Sequence, residues 1–372
     1  MHLLTTFLLS LVALLLDTTP DAVETMHAGP GREGAVAELL FIGDAMQHSA
    51  QYQKARRSDG TYDYSACFTY LEDDIRAADY AVVNLECPLG GPPYSGYPCF
   101  CAPDSYAAQL QRSGFDMFLT ANNHCLDKRD RGLVRTIGVL DSMQVDHLGT
   151  WVNQAQRSQR MPYIRVVNGI RIAFLNYTYG TNGIRVQGDV VVDELDRELM
   201  KRDIDEARAH GAQAICANLH WGVEYTTTPV QEQRDLADFL VAQGVDLIIG
   251  GHPHVIEPFE MRYSPAHKKN VLLVYSLGNF ISNMNQIDCR GGALVKVALR
   301  VENGAPVVQN PRYRLFYVQK PVLPGENYVV IPEDRPEAVR SADRATFARF
   351  MQRAHEVMSH NVNVPCESPA GK

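Results

Sequence analysis

Three histidines in the middle of the chain follow segments that are typical of buried strands. His220 comes directly after the apolar run at residues 214–219, and His252 and His254 follow a second such run, with a helical segment at residues 231–242 in between. Parallel strands joined by a crossover helix bring their carboxyl ends to one edge of a sheet, where open α/β sheets place their sites. A single histidine at a strand end is usually a hydrogen-bonded surface residue. Three imidazoles at one edge favour a metal site.

Other potential ligands follow predicted strands earlier in the chain. They are Asp44, His48, Glu86, Asn123 and His124. Each of them alone is also consistent with a turn or a helix cap. Together with the three histidines they supply oxygen and nitrogen ligands, including a carboxylate able to bridge, which is what two metal ions about 3.5–4 Å apart require. The sequence therefore predicts a centre for one or two divalent ions, with Mn, Fe, Zn and Mg as the candidates.

The segments that carry these residues alternate between strands and helices, which predicts an α/β fold. Two strands, at residues 163–167 and 171–176, flank an Asn-Gly pair that is typical of a hairpin turn. Residues 293–301 and 311–317 are predicted as closing strands. We therefore expect the potential ligands to lie at one edge of the sheet structure.

The composition limits the classes of partner. A content of 45% hydrophobic and 21% charged residues is ordinary for a globular protein. The formal net charge of −8 leaves no basic surface of the kind that nucleic acid binding requires, so we expect no nucleic acid partner.

The N-terminal residues have the composition of a targeting segment. Residues 3–16 are almost entirely apolar, too short to span a membrane comfortably and suited to the core of a signal peptide. We therefore expect residues 1–22 to be a signal peptide or a short anchor, and residues 23–34 to be a linker. The protein would then be exported to the cell surface or periplasm, or secreted, with membrane anchoring as an alternative. A main domain at 35–320 and a C-terminal extension at 321–372 with a terminal helix complete the predicted organisation.

The cysteines fit an exported protein. Of the eight, four lie between residues 67 and 101, in a proline-rich segment. In an oxidising compartment we expect at least one disulfide among these four, although spacing cannot choose the connectivity. The pair in Cys99-Phe100-Cys101 is one residue apart and no second pair follows, which argues against structural zinc.

The potential ligands belong to an ordered set of short motifs that spans roughly residues 37–285. The motifs are Gly43-Asp44, Asn84-Leu85-Glu86, Ala121-Asn122-Asn123-His124, His220-Trp221-Gly222-x-Glu224-Tyr225, Gly251-His252-Pro253-His254 and Ser276-Leu277-Gly278-Asn279-Phe280. This set resembles the CapA family of capsule and poly-γ-glutamate biosynthesis proteins. The resemblance implies a calcineurin-like metallophosphoesterase fold, an α/β sandwich of two mixed sheets flanked by helices.

The resemblance also implies a role for each motif residue. The residues expected to hold one ion are Asp44 and His254, with His48 as a further ligand, and those expected to hold the other are Asn123, His220 and His252. Glu86 would bridge the two ions, and His124 would act on the substrate as an acid or electrostatic group. Independently of the resemblance, Glu224 lies four residues after His220, beyond a Trp-Gly turn, which predicts that it contacts the substrate from the pocket mouth and does not bind metal; a glutamate favoured by a helix N-terminus is the alternative. Two positions depart from the metallophosphoesterase pattern: His48 lies four residues after Asp44 instead of two, and Glu86 replaces an aspartate.

Three functions remain open at this point. The first is a metal-dependent hydrolase or transferase that acts on an extracellular anionic polymer, poly-γ-glutamate or a capsular polysaccharide, through a metal-activated water. The second is a non-catalytic component that binds or exports such a polymer, in a membrane-bound capsule synthesis complex. The third is a secreted phosphodiesterase. Because the chain is acidic, a polyanion needs a local positive site, for which the metals and a rim of Arg129, Arg131 or Arg290 are candidates.

Overall fold

The computed structural model describes residues 32–367 and contains two large mixed β-sheets. The strands in chain order are β1 (Val36–Ala45), β2 (Tyr80–Leu85), β3 (Met117–Leu119), β4 (Asp146–Leu148), β5 (Thr150–Trp151), β6 (Tyr163–Val167), β7 (Ile170–Thr178), β8 (Val191–Val192), β9 (Ala214–His220), β10 (Leu247–Gly251), β11 (Ile256–Ser264), β12 (Lys269–Leu277), β13 (Asn279–Ile281), β14 (Gly291–Glu302), β15 (Ala305–Gln319) and β16 (Val329–Pro332). The first sheet has the order β16-β15-β14-β1-β2-β3-β4, with β13 beside β1, and the second has the order β11-β12-β10-β9-β7-β6. Strands β5 and β8 form a separate pair.

Helices cover the sheets. They are α1 (Ser49–Ala55), α2 (Glu72–Ala77), α3 (Asp104–Arg112), α4 (Arg129–Ser142), α5 (Gln154–Arg160), α6 (Arg197–Ala209), α7 (Gln231–Ala242) and α8 (Arg344–Met358). Helix α7 connects the parallel strands β9 and β10 as a crossover. Within residues 32–367, no helix is both long and apolar enough to cross a membrane.

Strand β1 shows why the first sheet must be covered on both faces. Leu39 and Phe41 point into the core shared with the second sheet, whereas Leu40 and Ile42 point into a separate core under α2 and α3. Successive side chains of a strand alternate between faces, so a continuous apolar run is stable only when both faces are buried. The sandwich of two mixed sheets flanked by helices confirms the predicted fold class.

The elements after residue 320 pack onto the same body. Strand β16 pairs with β15 at the edge of the first sheet, and α8 lies against β11 and β15. The hairpin of β6 and β7 is present where the sequence predicted it. The predicted leader at residues 1–22 and most of the linker at 23–34 lie outside the described residues.

The cysteines require a correction. All eight lie within the described residues, and each is a free thiol, so the disulfide predicted between residues 67 and 101 is absent from this structure. The four thiols of that segment have different surroundings. Cys67 packs in the core, Cys87 contacts the Ala45 carbonyl, Cys101 donates to the Gly91 carbonyl at 3.1 Å, and Cys99 is exposed. Cysteines that are close together in the sequence therefore do not form a disulfide in this structure.

Candidate metal centre

The predicted ligands converge where β1, β2, β9 and β10 end. Asp44 is the penultimate residue of β1 and Glu86 follows β2, while His220 ends β9 and His252 directly follows β10. In the parallel pairing of the second sheet, His220 lies opposite Gly251, which explains why histidines more than thirty residues apart meet. All four side chains are buried, which is unusual for polar residues that serve only the surface.

A close approach of two backbone segments fixes the position of Asp44. Its amide donates to the Gly278 carbonyl at 3.0 Å, and Asp44 pairs with Asn279 of β13. A Cβ at Gly43 would lie 1.9 Å from the Gly278 oxygen, so only glycine allows this approach. The glycine before Asp44 is therefore part of the site's construction.

Glu86 lies between two of the histidines. Its Oε1 is 3.7 Å from His220 Nε2 and 3.7 Å from His254 Nε2. One donor atom each from Asp44, Glu86 and His220 lies within 4.8 Å of the other two. This is the arrangement expected of a carboxylate that bridges two neighbouring ions.

The surroundings of Glu86 fit a metal ligand. Both of its carboxylate oxygens are buried and have no hydrogen-bond partner. Burial raises the pKa of Glu86 well above its usual range, and the negative charges of Asp44 and Glu224 raise it further. A buried carboxylate without a donor is costly unless a cation compensates it, so these orphaned oxygens fit a divalent ion.

Asn123 lies beside His220 as predicted. Its Oδ1 is 3.0 Å from His220 Nε2, so an amide oxygen and an imidazole nitrogen face the same point. Burial lowers the pKa of His220 well below its usual range, and the charge of His252 lowers it further. His220 is therefore held neutral, which is the form that binds metal.

His254 lies beside Asp44, also as predicted. His254 Nδ1 is 3.3 Å from Asp44 Oδ2 and 3.1 Å from Asn279 Oδ1. Burial of Asp44 opposes its ionisation, but the hydrogen bonds with His254 and Asn84 help to outweigh burial and lower the pKa of Asp44. Asp44 is therefore the ionised carboxylate of the centre.

The loop after β10 holds its histidines in an unusual backbone conformation. His252 has φ 99° and His254 has φ 59°, in the left-handed region that residues with a side chain rarely adopt. The His252 amide donates to Asp44 Oδ2 at 3.2 Å, and the Pro253 carbonyl accepts from the Tyr225 amide at 2.8 Å. Burial and the charge of His254 lower the pKa of His252 to about 3. Such strain is concentrated at functional sites, where the surrounding contacts enforce it.

Glu224 lies closer to the histidines than its predicted role required. One donor atom each from Glu224, His252 and His254 lies within 4.8 Å of the other two. The contact between Tyr225 and Pro253 places the Glu224 loop over these histidines. Glu224 is thus within reach of an ion that His252 and His254 could hold. The choice between substrate contact and metal ligation stays a prediction.

His124 forms a buried pair with Asp127. The His124 Nδ1 is 2.8 Å from Asp127 Oδ2, and the same carboxylate oxygen accepts from the Phe100 amide at 2.6 Å. The Phe100 ring packs edge-on against the imidazole, with the ring centroids 4.5 Å apart. This arrangement orients His124 and leaves its Nε2 as the atom available to a substrate.

His48 is not a member of either group of close donor atoms found among the described residues. Its Nδ1 lies 3.1 Å from Gln51 Oε1 and accepts from the Asn283 amide at 3.3 Å, and its ring packs edge-on against Phe100. Burial lowers the pKa of His48 to about 4, so the ring is neutral. Its assignment as a ligand stays a prediction.

Sequence reasoning missed the residues that support the ligands. Asn84 donates to Asp44 Oδ1 at 2.8 Å, and Asn122 donates to Asn84 Oδ1 at 3.2 Å. Asn279 and Asp127 orient His254 and His124. Three of these four lie inside the motifs already quoted, so a search for polar partners within the motifs could have found them. Such outer partners fix ring orientation and ligand basicity.

The family comparison agrees with this geometry. The family described as bacterial capsule synthesis protein PGA_cap matches residues 38–284, which contain every predicted ligand. The chain belongs to this family. It is 29% identical over 275 residues to the PGA biosynthesis protein CapA of Bacillus subtilis, covering 72% of this chain and 69% of that protein. It is 26% identical over 308 residues to the capsule biosynthesis protein CapA of Bacillus anthracis, covering 80% and 72% respectively.

Solved structures share parts of the architecture at low identity. The NAD nucleotidase of Haemophilus influenzae is 12% identical with a TM-score of 0.48, covering 87% of this chain and 61% of that protein. A phosphatase of Mycoplasma pneumoniae is 12% identical with a TM-score of 0.45, covering 84% of this chain and 99% of that protein.

Proposed function

We propose that this capsule-family protein is a metal-dependent hydrolase or transferase that acts on an extracellular anionic polymer. The observation that carries the proposal is the Glu86 carboxylate, buried without a hydrogen-bond donor and 3.7 Å from both His220 and His254. A purely structural carboxylate would have a cation or donors beside it. The two CapA relatives, named for poly-γ-glutamate and capsule biosynthesis, support an anionic polymer as the substrate.

The proposal assigns the residues to two ion positions, following the family resemblance. Asp44 and His254 would hold one ion, Asn123, His220 and His252 would hold the other, and Glu86 would bridge them. Divalent ions at these positions supply Lewis acid chemistry, lowering the pKa of a water and polarising a phosphoryl or acyl oxygen. The chain itself keeps His220 and His252 neutral by burial, so that they are ready to bind.

The paired His124 and Asp127 favour an enzyme over a binding component. A protein that only holds a polymer has no need of a buried imidazole fixed at one nitrogen by a carboxylate and left free at the other. In the proposed reaction Asp127 orients the ring, and His124 Nε2 delivers a proton to the leaving group. Glu224, at the mouth, contacts the substrate chain or completes the ligand set of His252 and His254.

The experiment combines metal analysis with a substrate screen. Elemental analysis should find one or two divalent ions per chain. The loaded protein should cleave or transfer a γ-glutamyl or phosphoester bond, lose activity after chelation and regain it when Mn, Fe, Zn or Mg is restored. A metal-loaded protein that binds poly-γ-glutamate and turns over neither substrate class would instead establish the binding and export role. Turnover of small phosphodiesters alone would favour the secreted phosphodiesterase.

We also propose that the protein is exported. The apolar segment at residues 3–16 is the observation behind this proposal. Cell fractionation, with N-terminal sequencing of the mature chain, tests it. Recovery of the intact chain from the cytosol alone would overturn export.

A further inference from the structure

Two partly buried cations near the candidate metal centre have no carboxylate partner. Lys320 Nζ donates to the Asn283 carbonyl at 2.6 Å and to Asn285 Oδ1 at 2.7 Å. Arg290 donates to the Tyr317 hydroxyl at 2.6 Å, and its Nε is buried without a partner. Within residues 32–367, no carboxylate lies within 4.0 Å of either cation. Both positive charges are therefore held in place by neutral groups.

The acidic residues nearest in sequence to Arg290 and Lys320 form ion pairs with other arginines. Asp288, two residues before Arg290, pairs with Arg353. Glu326, six residues after Lys320, accepts from Arg340 at 2.8 Å, and Asp343 accepts from the same guanidinium at 2.6 Å. The chain thus has acids in this region but directs them to other arginines.

The two cations repel each other. Arg290 exchanges hydrogen bonds with the backbone of Val318, two residues before Lys320. Burial, together with the nearby charge of Arg290, lowers the pKa of Lys320 to about 8. Like charges held together in a partly buried place are unfavourable unless an anion compensates them. A bound anion would relieve this repulsion and would also supply the missing partner for Arg290 Nε.

A short chain of contacts connects Lys320 to His48, beside the candidate metal centre. The Asn283 carbonyl accepts from Lys320, the Asn283 amide donates to His48 Nδ1 at 3.3 Å, and Asn283 Oδ1 accepts from the Tyr328 hydroxyl at 2.6 Å. The His48 ring in turn packs on Phe100, which also packs against the His124 ring. Lys320 is therefore one residue removed from His48, through Asn283.

We propose that Lys320 and Arg290 form an anion subsite that binds an oxyanion of the polymer, a carboxylate or a phosphate, on a repeat unit next to the one at the metal centre. The subsite deepens the proposed function and rests on it only for the identity of the polymer. It explains how a chain with a net charge of −8 binds a polyanion: the local field at this edge is positive even though the whole protein is acidic.

The test measures binding without turnover. Isothermal titration calorimetry with a short γ-glutamate oligomer and with a glycerol phosphate oligomer, on metal-loaded and on chelated protein, separates the subsite from the metal centre. Lys320→Gln and Arg290→Gln should each raise the Kd of the preferred oligomer by about tenfold, the effect of losing one charge-assisted hydrogen bond. Arg353→Gln, which removes a neighbouring arginine that already has a partner, is the matched control and should leave the Kd unchanged.

Two further readings sharpen the test. The wild-type Kd should rise as the pH passes from 7 to 9, because Lys320 loses its proton near pH 8, whereas Lys320→Arg should keep a constant Kd. The other groups facing Lys320 do not titrate in this range: burial keeps His48 neutral and raises the pKa of Tyr328 to about 12, and Arg290 and Arg340 stay charged.

The outcomes separate the two proposals. A preference for the γ-glutamate or for the phosphate oligomer identifies the source of the oxyanion. Binding that depends on Lys320 in chelated protein supports the subsite even if no substrate turns over. Equal Kd values for wild type, Lys320→Gln and Arg290→Gln, or no binding of either oligomer, would overturn the subsite even if the metal centre proves catalytic.

Discussion

Two buried polar clusters in this protein each contain two carboxylates, and they are built in opposite ways. In the first, Arg157 lies between Asp193 and Asp203, at 2.6 Å and 2.5 Å. Asp193 also accepts from the Trp151 indole and Asp203 from the Tyr177 hydroxyl, so each carboxylate accepts two hydrogen bonds. The chain supplies the cation itself.

The second cluster supplies no cation of its own. Glu86 faces His220 and His254, burial keeps His220 neutral, and neither carboxylate oxygen of Glu86 accepts a hydrogen bond. Both clusters lie in the same sandwich and are similarly buried. The difference is that both carboxylates of the arginine cluster pair with a cation of the fold, whereas Glu86 has no partner and its cluster has the donor set of a site for an external cation. The number of hydrogen-bond and ion-pair partners of each buried carboxylate therefore distinguishes structural polar clusters from functional ones.

The largest expected effect comes from exchanging a carboxylate in each cluster. Glu86→Gln should weaken metal binding by more than about 100-fold, because it removes the bridging charge. The metal-free variant should be at least as stable as metal-free wild type, because the substitution removes a buried carboxylate that has no partner. Asp203→Asn should leave metal content unchanged and lower the free energy of unfolding by about 3 kcal/mol, since Arg157 loses a charged partner.

Elemental analysis and urea unfolding in the presence of a chelator measure both quantities. Full metal occupancy in Glu86→Gln would remove Glu86 from the ligand set. Similar destabilisation by both substitutions would show that Glu86, like Asp203, stabilises the metal-free fold.

The next effect concerns a comparison between two His–Asp pairs in which the imidazole is buried. His124 pairs with Asp127 beside the centre, and His147 pairs with Asp141 at 2.9 Å in a groove that contains none of the candidate ligands. Under the enzyme proposal, His124→Ala should retain metal and substrate affinity but lose about 10²–10⁴-fold in turnover, the usual contribution of general acid–base catalysis. His147→Ala should leave turnover per folded molecule unchanged.

Steady-state kinetics on metal-loaded protein distinguishes the pairs, with Cys125→Ser as a control for the neighbouring thiol. A loss below threefold in His124→Ala, with metal content intact, would remove His124 from the mechanism.

The sequence predicted the ligands far better than their supports, and the reason is physical. His220 and His252 follow apolar runs, and parallel pairing of such runs brings their ends together whatever the loops do. Asn279 reaches His254 only because β13 pairs with β1, more than two hundred residues away, which no local pattern predicts. The unpaired cation Lys320 was missed because its isolation depends on which acids Arg340 binds in three dimensions.

A smaller effect is expected from a change at Glu224, which differs from the buried carboxylates in being accessible to solvent. Glu224→Gln should reduce activity or polymer binding by about tenfold, the loss expected for one charged hydrogen bond. If metal content stays unchanged, Glu224 contacts the substrate as predicted. If one ion is lost, Glu224 is a ligand together with His252 and His254, which its position also allows.

The matched control for this position is Glu232→Gln, an exposed glutamate in the first turn of α7. It should alter neither metal content nor activity. A Glu224→Gln variant that matches this control in both measurements would leave Glu224 without a role in the site.

The smallest expected effect comes from a further buried carboxylate, Glu257, whose hydrogen bonding is intermediate between that of the two clusters. Glu257 Oε2 accepts from Gln233 at 2.7 Å, but Oε1 has no partner, and burial raises the pKa of Glu257 to about 8. The folded protein therefore keeps this proton at pH values where the unfolded chain has released it.

The contribution of protonated Glu257 to the free energy of unfolding is present at low pH and is lost as the pH rises from about 4.5 to about 8. Glu257→Gln has no proton to lose at this position. The melting temperature of the chelated variant minus that of chelated wild type should therefore be larger at pH 8.5 than at pH 5.5, by about 2 °C or more. The exposed Glu206→Gln should show no such trend, and a constant difference for Glu257→Gln across this range would mean that Glu257 is ionised in the folded protein.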